Sequence, residues 1–249
     1  MTRPRAQGAG LVTMIEAAGG RAIFFPTLEI RAPADAGKLR ALLDRLDAFD
    51  LAIFISPNAV RTALAALEAR RGGRPWPAPL RVAAVGEGTR RALAQRGFTQ
   101  VLAPEGRADS EALLDLPELA RVAGKNMVIF RGEGGRALLA DTLRARGAQV
   151  ENAECYRRAQ PEADAGALLA AWEAGGVQAV TVSSGEGLDN LCAMIGERGL
   201  ARLRATPLFV PHARIAGQAA RLGLGPAHVA GPGDREMLAA LVAYFSGAQ

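Results

Sequence analysis

Four short stretches place small or hydroxyl-bearing residues where a strand pattern gives way to a helix pattern: Ser56-Pro57-Asn58, Gly86-Glu87-Gly88-Thr89, Ser183-Ser184-Gly185 and Pro211-His212-Ala213-Arg214. The start of a helix leaves backbone N–H groups without partners and carries the positive end of the macrodipole, so such junctions suit anions. Taken singly, each reads as an N-cap. Taken together, at the C-terminal ends of strands where open α/β sheets bind ligands, they describe rims able to hold a molecule with many carboxylates.

Other chemistry is less supported. Gly132-x-Gly134-x-x-Ala137 follows a strand pattern, with Glu151 about twenty residues on, and so fits the permissive dinucleotide fingerprint. In that reading the glycines admit a pyrophosphate and Glu151 holds a ribose hydroxyl. The alternative is a tight strand-to-helix turn, and no site for a hydride-transfer partner is evident. The chain has no nucleophile elbow, no HExxH, no P-loop and no carboxylate pair at a diagnostic spacing. His212 is the only histidine at a predicted rim. Tyr156, beside Arg157 and Arg158 just past a predicted strand end, reads alone as a structural aromatic. Cys155 and Cys192 are far apart, with no ligand spacing around them, and read as free thiols rather than a metal site or a disulfide.

The elements that must position these residues alternate in type. Gly124–Arg158 contains an apolar strand (Met127–Phe130), a glycine turn (Gly132–Gly135), a helix (Arg136–Arg146), a stop at Gly147 and a second strand running out to Tyr156. This is a βαβ unit. Upstream, the pattern predicts a helix over Gly8–Ala18 and a strand over Ala22–Ile30. Helices are expected over Pro33–Asp47 and Ala59–Arg70, with a strand at Leu51–Ile55 between them. A Gly/Pro loop over Arg71–Pro79 follows, then a strand at Arg81–Val85, a helix at Arg90–Arg96, a short strand at Val101–Ala103 and a helix over Ser110–Leu116, capped by Asp109 or Ser110.

The second half repeats this grammar at an offset of about 125 residues, too long for a solenoid unit, which implies two copies of one α/β domain. Arg131 corresponds to Arg3, Val180–Ser184 to Ala52–Ser56, and Phe209–His212 to Ala84–Glu87. The comparison exposes a gap: Val128-Ile129-Phe130 precedes Arg131, but only Met1-Thr2 precedes Arg3. Either the natural start lies upstream or one sheet is locally incomplete.

Composition bounds the rest. With 249 residues, 49% of them hydrophobic and 22% charged, the chain suits one large or two small globular domains. A net charge of +5 suits anionic ligands, but the arginines are scattered and not interleaved with aromatics, which argues against nucleic acid. The longest apolar runs are of strand length and no charged-then-apolar leader opens the chain, so a cytoplasmic protein without membrane contact is expected.

Read as a set, these residues resemble the uroporphyrinogen-III synthase family. The resemblance runs through Thr2-Arg3-Pro4, Phe54–Val60, Val85–Thr89, Asp109–Leu113, Phe130–Arg136, Cys155–Arg158, Val182–Leu188 and Phe209–Ala216, covering nearly the whole chain. No single motif is diagnostic; their order and spacing carry the likeness. The departure is at the N-terminus, where the family usually has an apolar strand before its Thr-Arg-Pro.

The resemblance implies an α/β fold of two Rossmann-like (flavodoxin-like) parallel-sheet domains joined by a two-stranded antiparallel ladder. Domain one would be 1–25 plus 160–249, domain two 31–151, and the ladder 26–30 with 152–158. A thin connection of this kind implies hinge motion. The implied substrate is hydroxymethylbilane, a linear tetrapyrrole with eight carboxylates. Loss of its terminal hydroxyl leaves an azafulvenium cation. Attack by the far ring through its substituted carbon gives a spiro intermediate, which fragments and recloses with ring D inverted.

No cofactor and no metal is expected. The protein is expected to act as a monomer, with a transient contact to the enzyme that supplies its substrate. Closure without the enzyme gives the unflipped isomer, so the protein's task is to choose the closure geometry, an orientation effect worth up to about 7–11 kcal/mol.

In this reading Ser56, Asn58, Gly86, Thr89, Gly132, Ser184 and His212 anchor carboxylates, while Arg3, Arg131 and Arg214 add charge-assisted bonds. Tyr156, carried over from the family's tyrosine at this position, is the candidate proton donor to the departing hydroxyl. Substitutions of rim Ser or Thr are expected to be mild, because backbone groups do most of the holding. The competing readings are a non-catalytic two-domain protein that binds a small anion, and a dinucleotide-dependent oxidoreductase.

Overall fold

Leu51-Ala52-Ile53-Phe54 is apolar at every step, and both faces of that strand are buried in the computed structural model of the protein, which describes residues 1–72, 75–107 and 109–247. A strand of this kind belongs inside a parallel sheet with helices on both sides. It lies in the unit Ile30–Arg158, one of two into which the chain divides; the other joins Met1–Glu29 to Ala159–Gln249. Residues 73–74 of the expected Arg71–Pro79 loop, and the last two residues of the expected domain one, lie outside the described residues.

After α1 (Arg5–Ala17), the chain enters the second unit through β1 (Glu29–Arg31). There follow α2 (Ala36–Asp44), β2 (Leu51–Phe54), α3 (Pro57–Arg71), β3 (Arg81–Ala84), α4 (Glu87–Ala94) and β4 (Val101–Leu102). The unit is completed by α5 (Ser110–Leu114), α6 (Pro117–Ala120), β5 (Asn126–Gly132), α7 (Leu138–Ala145) and β6 (Gln149–Ala159). Its six-stranded sheet has the order β1-β6-β5-β2-β3-β4, and the pairs β2–β3, β2–β5, β3–β4 and β5–β6 are parallel.

Side-chain alternation sorts the core onto two faces. Ala52, Phe54, Val128 and Phe130 pack with Leu39, Leu43, Val60 and Ala63 of α2 and α3. Leu51, Ile53, Met127 and Ile129 pack with Leu113, Leu119, Leu139 and Leu143 of α5, α6 and α7. Phe54 and Phe130 stack at 4.8 Å between ring centroids, which fixes the register of β2 against β5 on the first face.

The first unit continues with α8 (Gly166–Glu173), β7 (Val180–Thr181), α9 (Gly185–Arg204), β8 (Leu208–Val210), α10 (Ala213–Arg221), β9 (Ala227–Val229) and α11 (Asp234–Ser246). Its strands form a parallel sheet in the order β7-β8-β9. Beside β7, Met1 and Thr2 stand where an opening strand would run. The Thr2 N–H donates to the Thr181 carbonyl at 3.3 Å, and the Phe25 and Thr27 N–H groups donate to the Met1 and Thr2 carbonyls at 3.0 Å each.

The structure corrects three expectations about elements. Ala22–Ile30 is not one strand: only its last two residues belong to β1, and Pro26 has no N–H to give a ladder. The helix expected over Ser110–Leu116 stops at Leu114, since Leu116 precedes Pro117 and is held extended (φ −66°, ψ 135°). Tyr156 lies inside β6 rather than past a strand end, because the strand runs on to Ala159.

Candidate functional site

Each of the four junctions singled out above joins a strand to a helix, two in each unit. In the second unit, Ser56 caps α3 after β2, its Oγ accepting the Ala59 N–H at 3.1 Å, and Pro57 occupies the first helical position, where a missing N–H costs nothing. Gly86 precedes α4 after β3 in extended backbone, and the Thr89 N–H donates to its carbonyl at 3.0 Å. Thr89 is 4% exposed. Asn58 accepts from the Arg61 guanidinium through Oδ1 at 2.6 Å. Because β5, β2 and β3 are adjacent and parallel, Gly132, Ser56 and Gly86 stand side by side at the C-terminal edge of one sheet.

The Gly132–Arg136 turn on this edge is tied down from several directions. The Glu133 N–H donates to the Tyr156 carbonyl at 2.9 Å, and the Glu133 carboxylate accepts the Ala34 N–H at 2.5 Å. Arg136 pairs with Glu111 at 2.7 Å. Arg131, only 5% exposed, turns its guanidinium back into the loop and donates to the Gly132 and Arg136 carbonyls at 3.3 Å each. Its positive charge lies inside the turn that shapes the rim.

Tyr156 reaches this edge by an irregularity in β6. The β5–β6 register pairs Arg131 with Glu154 and Gly132 with Tyr156, leaving Cys155 as the extra residue of a bulge. A bulge re-aims the side chains beside it, and here Cys155 and Tyr156 are both buried against the same core. The Cys155 Sγ fills the gap in the ladder by donating to the Arg131 carbonyl at 3.2 Å. Burial pushes this thiol up to about 11. The Tyr156 ring, 1% exposed, lies over Gly132, and its hydroxyl is 3.1 Å from the Ser56 Oγ. A Cβ on Gly132 would sit 2.7 Å from the ring, so glycine is required there for space.

These contacts remove the basis for the dinucleotide fingerprint. The close approach that Gly132 was expected to grant a pyrophosphate is taken by the Tyr156 ring. Glu151, the expected ribose acceptor, is engaged by Arg45 through both carboxylate oxygens at 2.7 and 2.5 Å, and this pairing holds its carboxyl below the ordinary value. Among the described residues, no group of three or more His, Cys, Asp or Glu side chains is placed to hold a metal ion.

In the first unit, Ser184 caps α9 after β7 and accepts the Gly187 N–H at 3.0 Å. His212 precedes α10 after β8, exposed and with no capping bond from its side chain. Arg214, in the first turn of α10, is exposed as well. Arg3 is committed to Asp234, the first residue of α11, in a partly buried ion pair.

The structure adds supports that had no sequence signal. Gln218 on α10 donates to the Gly185 carbonyl at 3.1 Å and to Asp189 at 2.8 Å, steadying the start of α9. Thr27, buried, donates to the Gly187 carbonyl at 2.8 Å, and Asn190 donates to the Thr27 carbonyl at the same distance. Each of these bonds joins residues 29 or more positions apart, and no local pattern announces them.

Fold and site together define a two-unit α/β protein whose parallel strands end in helix N-termini suited to an acidic ligand. The family model described as uroporphyrinogen-III synthase HemD matches residues 9–239. The chain is 38% identical to uroporphyrinogen-III synthase of Salmonella typhimurium strain LT2 and 36% identical to that of Escherichia coli strain K12, over 96% of this chain and 96% of the relative in both cases. In fold it is similar to a mutant uroporphyrinogen III synthase of Thermus thermophilus, with a TM-score of 0.60 at 18% identity over 99% of this chain and 96% of that one. Uroporphyrinogen-III synthetase of Helicobacter pylori 26695 gives a TM-score of 0.59 at 14% identity, over 91% and 94% of the two chains. The chain belongs to the uroporphyrinogen-III synthase family.

Proposed function

We infer that this chain catalyses the uroporphyrinogen-III synthase reaction, as a cyclising hydro-lyase of tetrapyrrole and heme biosynthesis. It closes linear hydroxymethylbilane with inversion of ring D and loss of water. The observation that carries this reading is family membership along nearly the whole chain. No helix is long and apolar enough to cross a membrane among the described residues.

The finer roles are proposed on the site's chemistry. The helix starts at Ser56, Gly86 and Ser184 offer N–H groups to the substrate's acid side chains, with Asn58, Thr89, Gly132 and His212 beside them. Arg214 is exposed and free to approach a carboxylate, whereas Arg131 acts from beneath its turn and Arg3 is already paired with Asp234. Tyr156 supplies the proton on which the hydroxyl leaves, a contribution of about 10²–10⁴-fold. Each unit is read as one Rossmann-like domain, with 26–30 and 152–158 as the antiparallel ladder that links them. The protein is further read as a cytoplasmic monomer that meets the supplier of its unstable substrate transiently.

The test is to supply hydroxymethylbilane and resolve the product isomers. The type III isomer is expected well above the spontaneous background. Only the type I isomer, from folded protein, overturns the assignment.

A further inference from the structure

Among the described residues the Tyr156 hydroxyl has one side-chain partner, the Ser56 Oγ at 3.1 Å, and the phenol is otherwise enclosed: 1% of the residue is exposed and Gly132 lies directly against the ring. Ser56, in contrast, is only partly buried and stands on the rim beside Gly86 and Gly132. A substrate hydroxyl can therefore meet Ser56 without any movement of the core, but it can meet Tyr156 only by displacing Ser56. The serine oxygen already accepts the Ala59 N–H, which leaves it one proton to give and one lone pair with which to take another.

We propose that Ser56 is the group that touches the departing hydroxyl and that Tyr156 is the proton store behind it. This rests on the cyclising reading above. The C–O bond breaks with its electron pair on oxygen, which takes the Ser56 proton and leaves as water. Ser56 takes the Tyr156 proton in the same motion, and the carbon is left as the azafulvenium cation. The negative charge rests on the phenolate, bonded to the Ser56 hydroxyl at the positive end of α3. When the closed ring system sheds a proton to regain neutral pyrroles, that proton returns through Ser56 to Tyr156. The protein ends unchanged, and one water has been released per turnover. Ser56 is thus the exception to the expectation that rim hydroxyls matter little.

The test compares turnover and isomer ratio on hydroxymethylbilane for wild type, Ser56→Gly, Ser56→Asn, Ser56→Thr, Tyr156→Phe and the Ser56→Gly/Tyr156→Phe double variant. Gly and Asn keep most of the helix cap but have no hydroxyl, so loss of the relay is separated from loss of the fold; Thr keeps both. Ser56→Gly, Ser56→Asn and Tyr156→Phe should each lower kcat about 10²–10⁴-fold, with KM little changed. The double variant should be no worse than the poorer single, and Ser56→Thr should recover most of the rate. A solvent deuterium isotope effect on kcat in wild type should shrink in Ser56→Gly. Wild-type turnover in Ser56→Gly and Ser56→Asn, or losses that multiply in the double variant, overturn the relay while the synthase assignment stands. A wild type that yields only the unflipped isomer overturns the assignment itself.

Discussion

At the scale of single residues, the rim of the second unit depends on one missing methyl group. Gly132 leaves the space that the Tyr156 ring fills, and the ring's position sets the Tyr156–Ser56 contact. Adding a Cβ forces the ring or the strand to shift, an overpacking that typically costs about 1–3 kcal/mol. Gly132→Ala is therefore expected to lower stability in urea by that amount and to reduce kcat more than KM, because the hydroxyl pair moves before any binding group does. Unchanged melting and turnover would show that the ring is not held there. The two cysteines separate just as clearly. Cys155 is buried in the bulge with its thiol at about 11, while Cys192 on α9 is half-exposed, its thiol also raised, first by burial and then by Asp189. Iodoacetamide at about pH 8 should modify Cys192 first and leave Cys155 untouched until the protein is unfolded, since the thiolate is the reactive form. Mass spectrometry of the labelled native protein reads this directly, and labelling of Cys155 at the rate of Cys192 would contradict the burial.

At the scale of elements, the starts of the central strands are drawn together by Asp50. Its backbone N–H donates to Asn126 at 2.8 Å and its carbonyl accepts from Arg81 at 3.1 Å, joining β2 to β5 and β3. Its carboxylate takes the Asn126 N–H at 2.8 Å and the Lys125 ammonium at 3.2 Å; these bonds, the backbone one foremost, hold the carboxyl below its ordinary value. A carboxyl depressed in the folded state contributes fully above the unfolded value, about 3.9, and loses that contribution as pH falls through it toward the folded value. Asp50→Asn should thus be modestly less stable than wild type near neutrality, with the gap closing below about pH 4; a gap that is constant across that range would rule out the carboxylate as its source. The βαβ grammar and the four strand-to-helix junctions were legible in the sequence because apolar runs, helix-stop glycines and caps are local signals, as at Leu51–Ser56. The bulge at Cys155 and the brace from Gln218 were not, because one depends on a register shift that composition does not encode and the other on a partner distant in the chain. Local rules failed for the same reason at Ala22–Ile30, where tertiary pairing decides whether an apolar stretch becomes a strand.

At the scale of the whole molecule, charge and shape have different tasks, and salt separates them. The chain carries a net charge of +5, spread over scattered arginines of which many are paired, such as Arg45 with Glu151 and Arg70 with Asp44. The residual field attracts a substrate with eight carboxylates over distances that salt shortens, since the screening length falls from about 10 Å at 0.1 M to about 3 Å at 1 M. In the proposed site, selection of the flipped ring is instead assigned to short contacts at the strand ends after binding, where screening reaches little. Raising the salt from about 0.05 to 0.5 M is therefore expected to lower kcat/KM several-fold, mainly through KM, and to leave the ratio of type III to type I product from the bound substrate unchanged once the spontaneous background is subtracted. Arg214→Gln should weaken the salt dependence without altering that ratio, because it removes an exposed cation and leaves the Ser56–Tyr156 edge intact. A fall in isomer selectivity that tracks kcat/KM would mean that the same long-range charges both collect the substrate and fold it. The division of labour between a basic surface and neutral, hydrogen-bonding strand ends would then be wrong.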